Sequence, residues 1–444
     1  MTRAPDMSEG GPRHRAVHAP SPGAVPGRSP GTPSVPAEVF RYLGTGCAAW
    51  ARAFSTRPRF LALAAFLFAG DLKANPRLAW IPVDLTLLTG ALLCAVLGAR
   101  FRRGARLPSR VGAALLGLWF LSFAPGLPLA AASPYGIQKI ATLYTFTLLS
   151  AAAPMLLLDQ DRDAVAILNA MACFCLAITL GGLLGGAQVA RPAQRLQAFG
   201  AGTISLGRAT GLLFTYAALA LAGPAPWPGL TFGIMALAGV AALFSGSRGP
   251  ILAALAVVAL VLVAGRAGMA RRLPRLAGAA ALFLLLLAAS LSLAPKGSLR
   301  RVEAFFQGQY GASEQYRMNA LEACWDRVGD APWGIGWAGF ASQVDPERGV
   351  PRQYPHNLLA EVTLEAGWWC GGVTLLVLGA AACAGWSVSA RPGGQLVWAG
   401  TLFYLINAMV SGDVNDNRPM FMFIGCALTL PALPFRPGRP EAAP

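Results

Sequence analysis

His356 stands beside Asn357 where a polar stretch of about sixty residues gives way to the apolar run NLLAEVTLEAGWWCGGVTLLVLGAAACAG. The only other histidines, His14 and His18, fall in a Pro-rich amino-terminal segment, so imidazole chemistry rests on His356. A neutral imidazole accepts a proton near pH 7 without help from an unusual environment. Pro355 precedes it, and proline is preferred in the first turn of a helix, so the sequence predicts His356 at a helix start. There the helix dipole disfavours imidazolium, which suits a general base at the water-lipid boundary. A histidine that only caps the helix is the alternative.

Three arginines stand at the ends of apolar runs: Arg208 in LGRATGLLF, Arg248 in FSGSRGPILAAL, and Arg317 in the polar stretch. Arginine among apolar neighbours is expensive unless it meets an anion. Guanidinium forks bind phosphate oxygens in pairs, and with a helix N-terminus they could hold a diphosphate without a metal. Snorkelling to headgroups, or pairing with carboxylates, is the plainer reading. Asn357, Glu361 and Glu365 are four apart and share one helical face. Carboxylates in a span must point into the bundle or pair, so they are expected either to orient Arg248 or Arg208 or to make helix-to-helix hydrogen bonds. Lys139 lies near a helix end, placed for snorkelling or ligand contact. Asp71 and Asp84 read as structural partners, Asp84 the more buried. GIGWAGF, residues 334–340, neither follows a strand nor opens a βαβ unit and reads as a turn.

The elements that must position these residues are membrane spans. The chain has 444 residues, 55% hydrophobic and 13% charged. Repeated long, continuous apolar runs predict an all-α polytopic bundle, since a helix satisfies its own backbone in lipid. About twelve runs occur between residues 58 and 433, including 138–158, 208–223, 250–265, 276–294 and 355–383. Residues 1–38 read as a disordered tail, 39–294 as spans one to nine, 295–354 as an outer loop, 355–433 as spans ten to twelve and 434–444 as a second tail. Within the loop, SEQYRMNALEACWDRVG predicts a helix ended by Pro332.

The net charge of +16 sits in the tail and in short loops, so it argues for topology signals and not for nucleic acid. Arg100, Arg102, Arg103, Arg106 and Arg110 form one such loop, and Arg266, Arg271, Arg272 and Arg275 another. An even number of spans separates them, and the positive-inside rule then puts both, and both termini, in the cytoplasm. The loop at 295–354 balances its charges and faces outward. Eight cysteines show no paired or metal-ligand spacing and read as small core residues.

Taken in order, GRATG at 207–211, SGSRGPILA at 245–253, Arg317 followed by APWGIGWAGF at 331–340, and HNLLAEVTLEAG at 356–367 resemble the O-antigen ligase and polymerase superfamily. The resemblance covers most of the chain from about residue 58. It implies a glycosyltransferase of the bacterial inner membrane that acts at the periplasmic face. Its donor would be an undecaprenyl-diphosphate-linked glycan, and its acceptor a glycan or lipid A-core. By the same resemblance Arg208, Arg248 and Arg317 would contact the donor diphosphate and His356 would activate the acceptor hydroxyl. Transfer would invert the anomeric carbon and need no metal or cofactor. Cys370 stands where that family usually has glycine. A transporter or flippase for lipid-linked oligosaccharide, and a scaffold of an export complex, are the competing readings. The sequence does not separate ligase, polymerase and protein oligosaccharyltransferase.

Overall fold

A computed structural model describes residues 58–75, 80–104, 107–130, 133–185, 202–222, 227–264, 311–345 and 352–435, with a few isolated positions between them. Residues 1–38 and 436–444, the apolar run at 276–294 apart from one position, Arg106 and the arginine-rich loop at 266–275 lie outside the described residues. Every described element is a helix. In chain order they are α1 (Pro58–Leu72), α2 (Leu85–Arg102), α3 (Arg110–Ser122), α4 (Pro134–Leu157), α5 (Asp161–Gly185), α6 (Thr203–Ala222) and α7 (Pro228–Ser245). They continue with α8 (Arg248–Ala264), α9 (Ala312–Val328), α10 (Leu358–Ala366), α11 (Trp368–Ser387), α12 (Pro392–Ala408) and α13 (Arg418–Thr429). Six of them, α2, α4, α5, α6, α7 and α11, are long and apolar enough to cross a membrane, so the chain is an all-α polytopic membrane protein.

Helix ends are where a membrane helix has orphan backbone donors, and the sequence supplies caps there. Asp84 accepts from Thr86 N at 2.7 Å and opens α2. Ser109 and Ser133 accept from the backbone N–H of Gly112 and Gly136 and open α3 and α4. Gly246 closes α7 in the left-handed conformation, at φ 67°. Asp84, expected to be the more buried of two aspartates, is instead partly exposed and paired with Lys73, whereas Asp71 turns inward to Ser205. Cys94 and Cys383, expected in the core, are exposed.

The core is aromatic and tightly apposed. Trp119 of α3 stacks on Phe421 of α13 at 4.7 Å and donates to Thr374 of α11 at 2.9 Å, tying three helices together. At one end of the bundle Arg100 reaches Leu156 O and Asp159, Arg59 meets Asp159, and Arg391 lies 4.0 Å from Asp161. These contacts gather the C-terminal ends of α2 and α4 and the N-terminal ends of α1, α5 and α12. The opposite end gathers the starts of α6, α8, α10 and α13, and the segments that join them.

The apolar run at 355–383 is two helices and not one span. Gly367, at φ 92°, breaks it, and a side chain there would meet Pro332 O at 2.6 Å. The segment Ala331–Ala338 occupies the break: Ile335 N donates to Leu364 O, Gly336 N to Glu365 O, and Trp368 N to Pro332 O. The first two satisfy carbonyls that the end of α10 leaves open, and the third uses an orphan donor at the start of α11. GIGWAGF is thus a turn, with Gly334 at φ 88° and Gly336 at φ 89°, and the predicted loop helix forms as α9. Gly367→Ala adds a Cβ in a region L-residues avoid, against backbone that cannot yield. It is expected to cost at least about 2 kcal/mol, read as a lower unfolding midpoint in detergent; an unchanged midpoint would mean the break is held elsewhere.

Candidate functional site

One segment organises the site. Residues 409–418, MVSGDVNDNR, join α12 to α13. Asp413 is nearly sealed from solvent and accepts from Asn415 N at 2.9 Å and Asp416 N at 2.8 Å, while Asp416 reaches back to Asp413 N. This reciprocal capping box makes a rigid turn out of a polar sequence. Gly412, at φ 78°, lets the chain enter it.

Four of the sequence-predicted site residues converge on this segment. Arg208, in the second turn of α6 and buried, donates to Ser411 O at 2.7 Å and Asp416 O at 3.1 Å. Arg317 of α9 donates to Val410 O at 3.3 Å. Arg248 opens α8, and its neighbour Gly249 abuts the side chain of Val410. Asn357 donates to Met409 O at 3.0 Å and, through its side-chain oxygen, accepts from Ala360 N at 2.9 Å. Residues separated by up to two hundred positions in sequence therefore meet at one end of the bundle.

His356 is not in the first turn of α10, as Pro355 predicts. Asn357 is the N-cap, and His356 precedes it at φ 58°. Histidine is one of the few side chains enriched in that conformation, and such backbone strain clusters at functional positions. The ring is half-buried, edge-on to Tyr354 at 4.5 Å, with Tyr316 at 6.2 Å. Tyr316 in turn donates to Asp345 at 3.1 Å.

Glu361 and Glu365 do not orient Arg248 or Arg208. Both face Lys139 of α4, whose Nζ lies 2.7 Å from Glu361 Oε1 and 2.5 Å from Glu365 Oε2, all three side chains being fully buried. Only the Glu365 contact has hydrogen-bond geometry, so Glu361 is held by charge. Lys139 neither snorkels nor stands open to a ligand, because its side chain, though in the second turn of α4, is buried within the protein where these carboxylates compensate its charge.

The arginines differ in what remains available. Arg208 spends two nitrogens on carbonyls and leaves Nε without a hydrogen bond. The Arg248 side chain is about one-third exposed, with Glu314 at 4.0 Å, and Arg317 is half-buried. Arg352, half exposed, pairs with Asp416 at 2.7 Å and Asp413 at 3.3 Å and stands over the Tyr354 ring at 5.9 Å. Burial works against its charge, but Asp416 and Asp413 outweigh that and raise its pKa further. Burial, and then Asp413, push the Asp416 carboxyl up, while Arg352 and Arg208 draw it down. Burial first, and then Asp416 and Asp413, raise the Tyr354 phenol, so it stays a neutral neighbour of the imidazole.

Sequence reading used Arg352 only in a charge balance and missed Asp413 and Asp416. The signal was available: GDVNDNRP places two acids, two amides and a basic residue between apolar runs, where a spanning protein has little reason to keep them.

A family model described as O-antigen ligase matches residues 233–376, about a third of the chain. No curated protein and no solved structure matches. The matched segment carries Arg248, Arg317, His356, Asn357, Glu361 and Glu365, and the fold brings Arg208, Lys139 and the 409–418 turn to it from outside. Residues 233–376 are thus similar to an O-antigen ligase domain, set within a multi-pass membrane protein.

Proposed function

We propose that the protein is an inner-membrane glycosyltransferase that moves an undecaprenyl-diphosphate-linked oligosaccharide onto a glycan or lipid A-core hydroxyl at the periplasmic face. The observation that carries this is the convergence of Arg208, Arg317, the Arg248-bearing start of α8 and Asn357, the neighbour of His356, on the 409–418 turn, at the end of the bundle opposite Arg100. By the positive-inside rule the arginine-rich end is cytoplasmic, which gives both termini to the cytoplasm and the site to the outside.

In this reading Arg248 and Arg317, the more accessible guanidinium groups, take the diphosphate oxygens, and Arg208 adds its charge while holding the turn against which they work. The N-terminus of α8 adds the positive end of its dipole toward the same anion. His356 accepts the proton of the acceptor hydroxyl as that oxygen attacks the anomeric carbon; the glycosyl-oxygen bond to the diphosphate breaks, and the configuration inverts. Diphosphate leaves readily when its charge is offset, so fixed cations and one base suffice and no metal is required. Repeat-unit polymerisation and ligation share every one of these steps and differ in the acceptor.

The direct test is purified protein in lipid nanodiscs, given undecaprenyl-diphosphate-linked oligosaccharide and acceptor, with release of undecaprenyl diphosphate followed over time. Transfer is expected to proceed at an unchanged rate after EDTA treatment; a loss restored by a divalent cation would remove the metal-free step. Movement of labelled donor across vesicles without covalent transfer would replace the enzyme reading with a flippase. In a deletion strain, single repeat units on undecaprenyl diphosphate mark a polymerase and long chains mark a ligase.

A further inference from the structure

The Lys139, Glu361 and Glu365 cluster is a poor device for stability. Two carboxylates face one ammonium in a site closed to water, and Glu361 Oε1, Glu361 Oε2 and Glu365 Oε1 accept no hydrogen bond. Burying charges is costly, and apolar residues of similar volume often serve a fold equally well. What the cluster does achieve is geometric. Lys139 fastens two successive turns of α10 to α4, and α10 is the nine-residue helix whose N-cap follows His356 directly.

The same turn of α4 also reaches the 409–418 segment. Tyr135, one turn before Lys139, donates to Asp413 at 3.1 Å, and Asn415 donates to the Lys139 carbonyl at 2.9 Å. Lys139 further lies 5.5 Å over the Trp337 ring, and Trp337 donates to Phe123 O at 3.0 Å. One stretch of α4 therefore sets α10 and the arginine-bearing turn against each other. Without it, the His356 segment is held to that turn by Asn357 on the Met409 carbonyl and by the half-exposed Arg352 on Asp413 and Asp416.

We propose that Lys139, Glu361 and Glu365 are positioning residues that fix the imidazole of His356 relative to the arginine-held diphosphate. The inference rests on the assignment of His356 as the base. None of the three touches substrate; they act on the distance between the attacking hydroxyl and the leaving group. Misplacement of reacting groups by about 1 Å can cost on the order of a hundredfold in rate.

The test uses Glu361→Gln and Glu365→Gln, each of which leaves Lys139 one carboxylate, together with Lys139→Met, in the full-length protein in nanodiscs with undecaprenyl-diphosphate-linked oligosaccharide as donor. Each glutamine variant is expected to fold, to keep the donor KM, and to lose about tenfold or more in kcat. In a His356→Ala background the same substitutions are expected to change the residual rate by less than about twofold, because residues acting through one group are not additive. Wild-type kcat in both glutamine variants overturns the proposal, even should Lys139→Met fail to fold. So does an equal loss in the presence and absence of the imidazole, which would mean the cluster acts independently of it. Should His356→Ala retain the full rate, the base assignment falls by itself; the single variants then still report whether the cluster affects turnover.

Discussion

His356→Ala is expected to lower turnover by about 10²- to 10⁴-fold, the range a positioned general base supplies, while donor binding persists. The imidazole lies outside the helix, against Tyr354, and contributes no cap, since Asn357 fills that role. Its removal should therefore leave the fold of α10 intact. Alanine is less at ease than histidine at φ 58°, so His356→Asn is the better-controlled variant: asparagine tolerates the left-handed region but does not serve as a base. Both variants should lose the same turnover at normal protein level, measured as undecaprenyl diphosphate released in single-turnover reactions. An asparagine variant near the wild-type rate would show that backbone geometry at 356, and not the imidazole, is what matters.

Arg208→Ala should produce the largest combined effect on stability and activity. The buried guanidinium closes on Ser411 O and Asp416 O, and truncation leaves both carbonyls without that donor beside the Asp413 and Asp416 carboxylates. A loss of about 3 kcal/mol is expected, seen as a lower unfolding midpoint. Activity should drop at least about a hundredfold, because Arg317 and Asn357 lean on carbonyls of the same segment. Arg208→Lys should recover little, since an ammonium cannot reproduce the two-pronged geometry that spans the turn. A lysine variant with wild-type stability and full activity would mean that charge alone is required and that the turn does not depend on the fork.

The two predictions also mark where sequence reading reached and where it stopped. The helical membrane class followed from continuous apolar runs, and the loop helix from its own spacing, because both signals are local. His356 and the three arginines stood out because charge and imidazole are costly among apolar residues. Convergence of the arginines was legible only as an expectation, since nothing local in GRATG specifies which carbonyls receive the Arg208 guanidinium. The break at Gly367 was hidden for a related reason: its cause is the Pro332–Ala338 segment, which lies about thirty residues earlier and fits only a residue without Cβ. The partner of Glu361 and Glu365 stayed open between an arginine and a helix-to-helix contact because four-residue spacing identifies a shared face and says nothing of what that face meets. Lys139, over two hundred residues away, was placed at the surface by its nearness to a helix end, while the fold buries it fully.

The shortness of α10 separates His356 from the mechanics of the bilayer. A nine-residue helix is about 13.5 Å long, less than half of a hydrocarbon core of about 30 Å, and all its residues but Leu359 are buried within protein. Spanning helices answer thickness mismatch by tilting; a segment insulated from acyl chains has no such obligation. The imidazole thus keeps its station while the outer helices lean, which suits an enzyme working in membranes whose lipid composition varies.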